Sequence, residues 1–160
     1  KFLPEANVIH LAGHYIIDER HPLLSRLVLA KKHGSESANG EDDLMASDLA
    51  GQRLRHAKLV VLSACQTGGE NYYNGEGLMG MSRVFLEAGV PLVVASQWAV
   101  ESESTAELMI KFHHYRRTAG LSSLGALRRA QIEILNDQNG LYRDPYYWAA
   151  FVPLGGYTEF

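Results

Sequence analysis

At 160 residues and 46% hydrophobic content, the chain can bury one sizeable core, and its length favours a single globular domain. A net charge of −3 without any long run of like charges argues against nucleic acid or an anionic membrane as a direct partner. A lone cysteine rules out an intrachain disulfide, and the longest uncharged apolar stretch, "GVPLVVASQWAV" (89–100), falls well short of the roughly 20 residues of a membrane helix. The expectation is a soluble, cytoplasmic protein. The opening "KFLPEANVIH" shows neither an initiator methionine nor the apolar core of a signal peptide, so the chain reads as part of something longer.

Apolar runs of strand length alternate with segments of helical period, the pattern of an α/β sheet covered by helices. A first strand is predicted at about 7–12 ("NVIHLA") and a second at 27–30 ("LVLA"). The segment 31–43, "KKHGSESANGEDD", is polar, glycine-bearing and aperiodic, hence an exposed loop. The run at 58–63 ("KLVVLS") is continuous enough for a strand buried on both faces, as is the later one at 91–96 ("PLVVAS"). Between them, a helix over 77–88 places Leu78, Met81, Phe85 and Ala88 on one face and stops at Gly89, a suitable residue just past a helix end. A helix over 104–117 has capping-box spacing at Ser104 and Glu107, with Leu108, Met109 and Phe112 as its buried stripe. Another over 122–136 presents Leu124, Leu127, Ala130 and Ile134, and a last strand falls at 148–153 ("WAAFVP"). No repeat and no domain boundary is visible.

The chemistry centres on "VVLSACQTGG" (60–69), where the only cysteine, Cys65, sits at the end of an apolar strand. Free cysteine is among the most buried residue types, so an inert core thiol is one reading. The other is a nucleophile, which needs a base or cation beside it because the thiolate is the attacking form. Histidines at the end of the first strand, His10 and His14 in "VIHLAGHYI", are the candidates. Parallel neighbouring strands would bring His14 and Cys65 together beyond their carboxyl ends, where open α/β sheets bind ligands. A histidine about 50 residues ahead of the cysteine also fits the caspase pattern.

Five strings carry a resemblance in order: "VIHLAGH", "HPLLSRLVLA", "LVVLSACQTG", "NGEGLMGMSRVFLEAGVPLVVASQWAV" and "DPYYWAAFVPLGG". Together they make the chain similar to the CHAT domain, a caspase-like cysteine peptidase module of clan CD, grouped with the separases and often fused to tetratricopeptide repeats in bacterial proteins. The resemblance implies an α/β caspase-like (caspase-hemoglobinase) fold with a central, mostly parallel sheet flanked by helices. It implies one CHAT unit over 1–160, a fragment lacking the first strands and any N-terminal repeat region. His14 would be the general acid/base and Cys65 the nucleophile, with the backbone N–H groups of Tyr15 and Cys65 as oxyanion donors; Tyr15 stands where the family usually has glycine. Ser96, Gln97 and Trp98 would line the wall that pairs with extended substrate, and Asp18, Glu101 and Glu103 are acidic residues suited to a basic P1 side chain. The implied function is a cysteine endopeptidase acting on a protein or peptide substrate without a cofactor. A regulatory repeat region or activating protein would control it. The competing function is a catalytically silent module that binds an extended peptide or protein partner.

Blander roles fit the remaining residues. His10 reads as a hydrogen-bonded core histidine; its spacing would allow a metal pair with His14 and Cys65, but without a fourth ligand no metal site is assigned. His113 and His114 read as partly exposed helix residues. Glu76 complements a helix N-terminus, and Gly75 and Gly77 suit a turning loop. "CQTGG" matches no phosphate-binding fingerprint, and "GMSRV" does not complete a serine-hydrolase elbow. Tyr146, Tyr147, Trp148 and Phe151 read as packing residues.

Overall fold

The computed structural model describes residues 3–18, 20–29, 43–66, 76–138 and 140–156, with backbone alone at 22, 64–66 and 76–79. In chain order the elements are β1 (Val8–Ile16), β2 (Arg26–Val28), β3 (Leu44–Met45), α1 (Ala46–Leu49), β4 (Leu59–Gln66), α2 (Glu76–Glu87), β5 (Leu92–Ser96), α3 (Ser102–Thr118), α4 (Ser123–Leu135), α5 (Pro145–Trp148) and β6 (Phe151–Gly155). Single-turn 3-10 helices at Leu3–Glu5 and Pro22–Leu24 complete them. The loop expected at 31–43 lies outside the described residues apart from Asp43.

The strands form one six-stranded sheet in the order β3-β2-β1-β4-β5-β6. Parallel pairing holds only at its centre, β1 with β4 and β4 with β5. The flanking pairs β1 with β2, β2 with β3, and β5 with β6 are antiparallel, so the sheet is mixed rather than mostly parallel. A short return joins β1 to its antiparallel neighbour β2, the parallel neighbours β4 and β5 are joined by the longer crossover that carries α2, and β6 comes back beside β5 after α3, α4 and α5.

Strand alternation divides the core into two layers. Val60 and Leu62 of β4, Val93 and Ala95 of β5, and Ile9 and Tyr15 of β1 pack against α1 and α2 through Leu49, Met81 and Phe85. Leu59, Val61, Leu92 and Val94 point the other way and meet α3 and α4 through Leu108, Phe112, Leu127 and Ile134. All of β5 is buried, as a strand covered on both faces must be. At about 1.5–3 kcal/mol per fully buried large apolar side chain, these layers are the main stabilising term.

The helix ends explain where the periods stop. Gly89, at φ +96°, closes α2 with Gly89 N–H to Leu86 O (3.0 Å) and Val90 N–H to Phe85 O (3.1 Å), a Schellman motif. The capping box expected at Ser104 does not form. Helix α3 begins earlier, after Glu101, so the buried Ser104 sits within the first turn and its hydroxyl donates back to the Glu101 carbonyl at 3.0 Å. Trp148 belongs to α5 rather than to the last strand, because Asp144 caps Tyr146 N–H (2.8 Å) and Pro145 starts a helical turn. The last strand therefore begins at Phe151.

Candidate active site

The parallel register of β1 and β4 places His14 directly beside Cys65, with Gly13 beside Ala64 and Tyr15 beside Gln66. Both positions lie at the carboxyl ends of the two central strands. On the other side His14 pairs with Val28 of β2. Gly13 is what lets β2 come so close: a Cβ there would stand 2.5 Å from the Val28 carbonyl oxygen. His14 is solvent-exposed. Its strand face is shared by His10 and, on β4, by Ser63, two positions before Cys65.

A polar chain runs along that face. His10 Nε2 lies 2.8 Å from Ser63 Oγ, and His10 Nδ1 lies 3.1 Å from Nε2 of His113 on α3. The two imidazole centroids are 5.1 Å apart, and the Phe112 ring backs His113 at 5.0 Å. Partial desolvation of its ring lowers the His10 pKa, although the residue keeps solvent access. Burial, followed by the charges of His10, Arg116 and Arg117, pushes His113 down to about 4. His10 is thus hydrogen-bonded as expected, but exposed rather than core. The role of His113 was missed, because nothing in the sequence says which helix crosses which strand.

Tyr15 takes an ordinary strand conformation, with its side chain buried in the layer facing α1 and α2. A tyrosine here therefore avoids the left-handed penalty that glycine would relieve. Burial raises its phenol pKa, partly offset by a hydrogen bond with Ser25. With Leu27 on one side and Gln66 on the other, its backbone N–H lies in the sheet plane between neighbours.

The other expected site residues sit at the same edge of the sheet, with geometry that changes their roles. Ser96 is buried and its hydroxyl donates to the Trp98 carbonyl. The Gln97 N–H donates to Ala150 O at 2.9 Å, so that amide is already occupied, while the Gln97 residue itself is exposed. Trp98 Nε1–H donates to Tyr146 O (3.0 Å) and the Tyr146 hydroxyl to Ala99 O (2.9 Å). This segment is stitched to α5, and β5 is flanked on both sides by β4 and β6. A free main-chain edge at 96–98 is therefore not what the structure presents. Asp18 Oδ1 accepts from the N–H groups of Arg20 (3.0 Å) and His21 (2.8 Å), holding the turn after β1. Glu101 and Glu103 are exposed at the start of α3, with the Tyr142 hydroxyl 3.4 Å from Glu103 Oε2. The "TGG" segment at 67–69 and Gly75 lie outside the described residues. Among the described residues, no helix is long and apolar enough to cross a membrane.

An α/β sheet with a histidine and a cysteine in register at the carboxyl edge defines a class of protein with a strand-end site. Comparison with protein families matches residues 1–156 to the CHAT domain, and the chain belongs to that family, which is related to cysteine peptidases. Comparison with curated proteins gave no significant match.

Proposed function

We propose that this domain, a CHAT unit of caspase-like fold spanning the chain, is a cysteine endopeptidase that cleaves a protein substrate through a His14–Cys65 dyad. The observation that carries it is the pairing of these two positions on adjacent parallel strands, at their carboxyl ends. His14 takes the thiol proton, the thiolate attacks the scissile carbonyl, and His14 returns the proton to the leaving amine. Water then attacks the thioester with His14 as base. The N–H of Cys65, with that of Tyr15 once released from its strand neighbours, would receive the oxyanion. Asp18, in the turn after β1, and Glu101 and Glu103, at the start of α3 after β5, would favour a basic P1 side chain. The exposed Gln97 with Trp98 would contact substrate by side chain, and Ser96 would hold that segment in shape. A fused repeat region or an activating protein would regulate it.

The test is iodoacetamide alkylation of Cys65 followed across pH, with substrate cleavage assayed in parallel. A dyad gives fast alkylation near neutral pH that slows in His14→Ala, and cleavage lost in His14→Ala and Cys65→Ala. Slow alkylation and no cleavage in the wild type would instead identify a silent module that binds extended peptide, the reading favoured by the in-plane Tyr15 amide.

A further inference from the structure

The proposed reaction leaves one side-chain cluster unused, four positions before His14 on β1. We propose that His10 and His113 form a binding site for one divalent transition-metal ion, held by His10 Nδ1 and His113 Nε2, with water in the remaining positions. This inference stands apart from the peptidase reading. The two nitrogens are 3.1 Å apart. Imidazole nitrogens each about 2.0–2.1 Å from a shared ion lie about 2.9 Å apart at a right angle and about 3.3 Å apart at the tetrahedral angle. The observed spacing falls between these limits, so the two nitrogens could share an ion at their present separation once the rings turn their lone pairs from each other towards it.

Ser63 supplies the outer partner that metal-ligating histidines characteristically have. Ser63 Oγ lies 2.8 Å from His10 Nε2, and with the Nε2–H donating to that hydroxyl the His10 Nδ1 lone pair faces His113. Without the ion, that lone pair accepts the Nε2–H of His113; on binding, His113 carries its proton on Nδ1 and presents its own lone pair. Both rings are held neutral at physiological pH, so little proton release opposes binding. His10 is exposed, which gives the ion a way in. Arg116 and Arg117 work against a cation here; the Arg116 Nε lies 3.0 Å from Ser123 Oγ, and its guanidinium lies over the Phe112 ring. Among the described residues no three His, Cys, Asp or Glu side chains are arranged around a metal position, so the site is open and exchangeable rather than a closed structural one.

Calorimetric titration of the full chain with Zn²⁺ tests this in the wild type, His10→Gln, His113→Gln, Ser63→Ala, His14→Gln and Cys65→Ala. One ion per chain is expected. Each of the His10 and His113 variants should lose at least about tenfold in affinity and Ser63→Ala about tenfold. His14→Gln and Cys65→Ala should bind as the wild type does. The Co²⁺ spectrum of the wild type, which needs no variant to fold, should show nitrogen and oxygen ligation without a thiolate charge-transfer band. Absence of binding, binding that survives in His10→Gln and His113→Gln, or a thiolate band lost in Cys65→Ala would each overturn the proposal, the last by placing the ion on the dyad.

Discussion

Gly13 controls how the candidate histidine is held. Because a Cβ would meet the Val28 carbonyl at 2.5 Å, Gly13→Ala must push β2 away from β1. Overpacking of this kind typically costs about 1–3 kcal/mol. Since Val28 pairs with His14 itself, the displacement also disturbs the proposed dyad. Urea denaturation should show the lost stability, and Cys65 alkylation should slow by more than that loss explains; normal stability with normal alkylation would refute the assignment. Tyr15, one residue past His14, answers to packing instead. Tyr15→Phe removes the hydrogen bond with Ser25 and should cost about 1 kcal/mol. Tyr15→Ala empties a fully buried aromatic site and should cost about 3–5 kcal/mol. Tyr15→Gly would therefore weaken the fold, a result that a denaturant midpoint reads directly.

Helices α3 and α4 are tied on their outer side by Lys111, which meets Glu133 at 2.5 Å and Glu107 at 3.5 Å, while the Tyr115 hydroxyl also donates to Glu133. The hydrogen bond from Lys111, then that from Tyr115, holds the Glu133 carboxyl below its usual 4.5. A carboxylate whose folded pKa is depressed stabilises the fold above its unfolded pKa and loses that contribution as pH falls through the folded value. Glu133→Gln should thus lower stability at pH 7 by less than about 1 kcal/mol for so exposed a pair, read as a modest drop in Tm, and the difference from wild type should vanish in acid. A difference that persists below pH 3 would show that the ion pair is not its cause. These helices were legible in the sequence because Leu108, Phe112, Leu127 and Ile134 repeat with helical period. Strand β3 and helix α1 were not, since elements of two and four residues carry no period. The start of α3 was misplaced because Ser104 has a cap's chemistry but is used inside the first turn. The adjacency of positions 14 and 65 was legible because parallel strands align whatever ends together. The occupied Gln97 amide was not, because it depends on where Ala150 comes to lie.

Across the whole molecule, one sheet separates two apolar layers, and the polar positions gather where the layer under α3 gives way to the strand ends. Titration there couples to global stability. His113 has its pKa pushed from 6.5 to about 4, with burial as the leading cause. Between those values the unfolded chain binds a proton that the folded chain resists, so stability rises with pH across the window and falls as the solution is acidified from 6.5 towards 4. His10, also lowered by burial, adds to the same slope. Replacing His113 with glutamine removes the titration while keeping a polar side chain of similar reach towards His10. The urea midpoint of the wild type should therefore drop between pH 7 and pH 4.5, and that of His113→Gln should drop less. Parallel pH profiles would mean that His113 is protonated as readily in the folded chain as in the unfolded one. That result would be incompatible with the packed, neutral ring pair, because a desolvated imidazole beside a second imidazole cannot take up a proton at the cost it has in water.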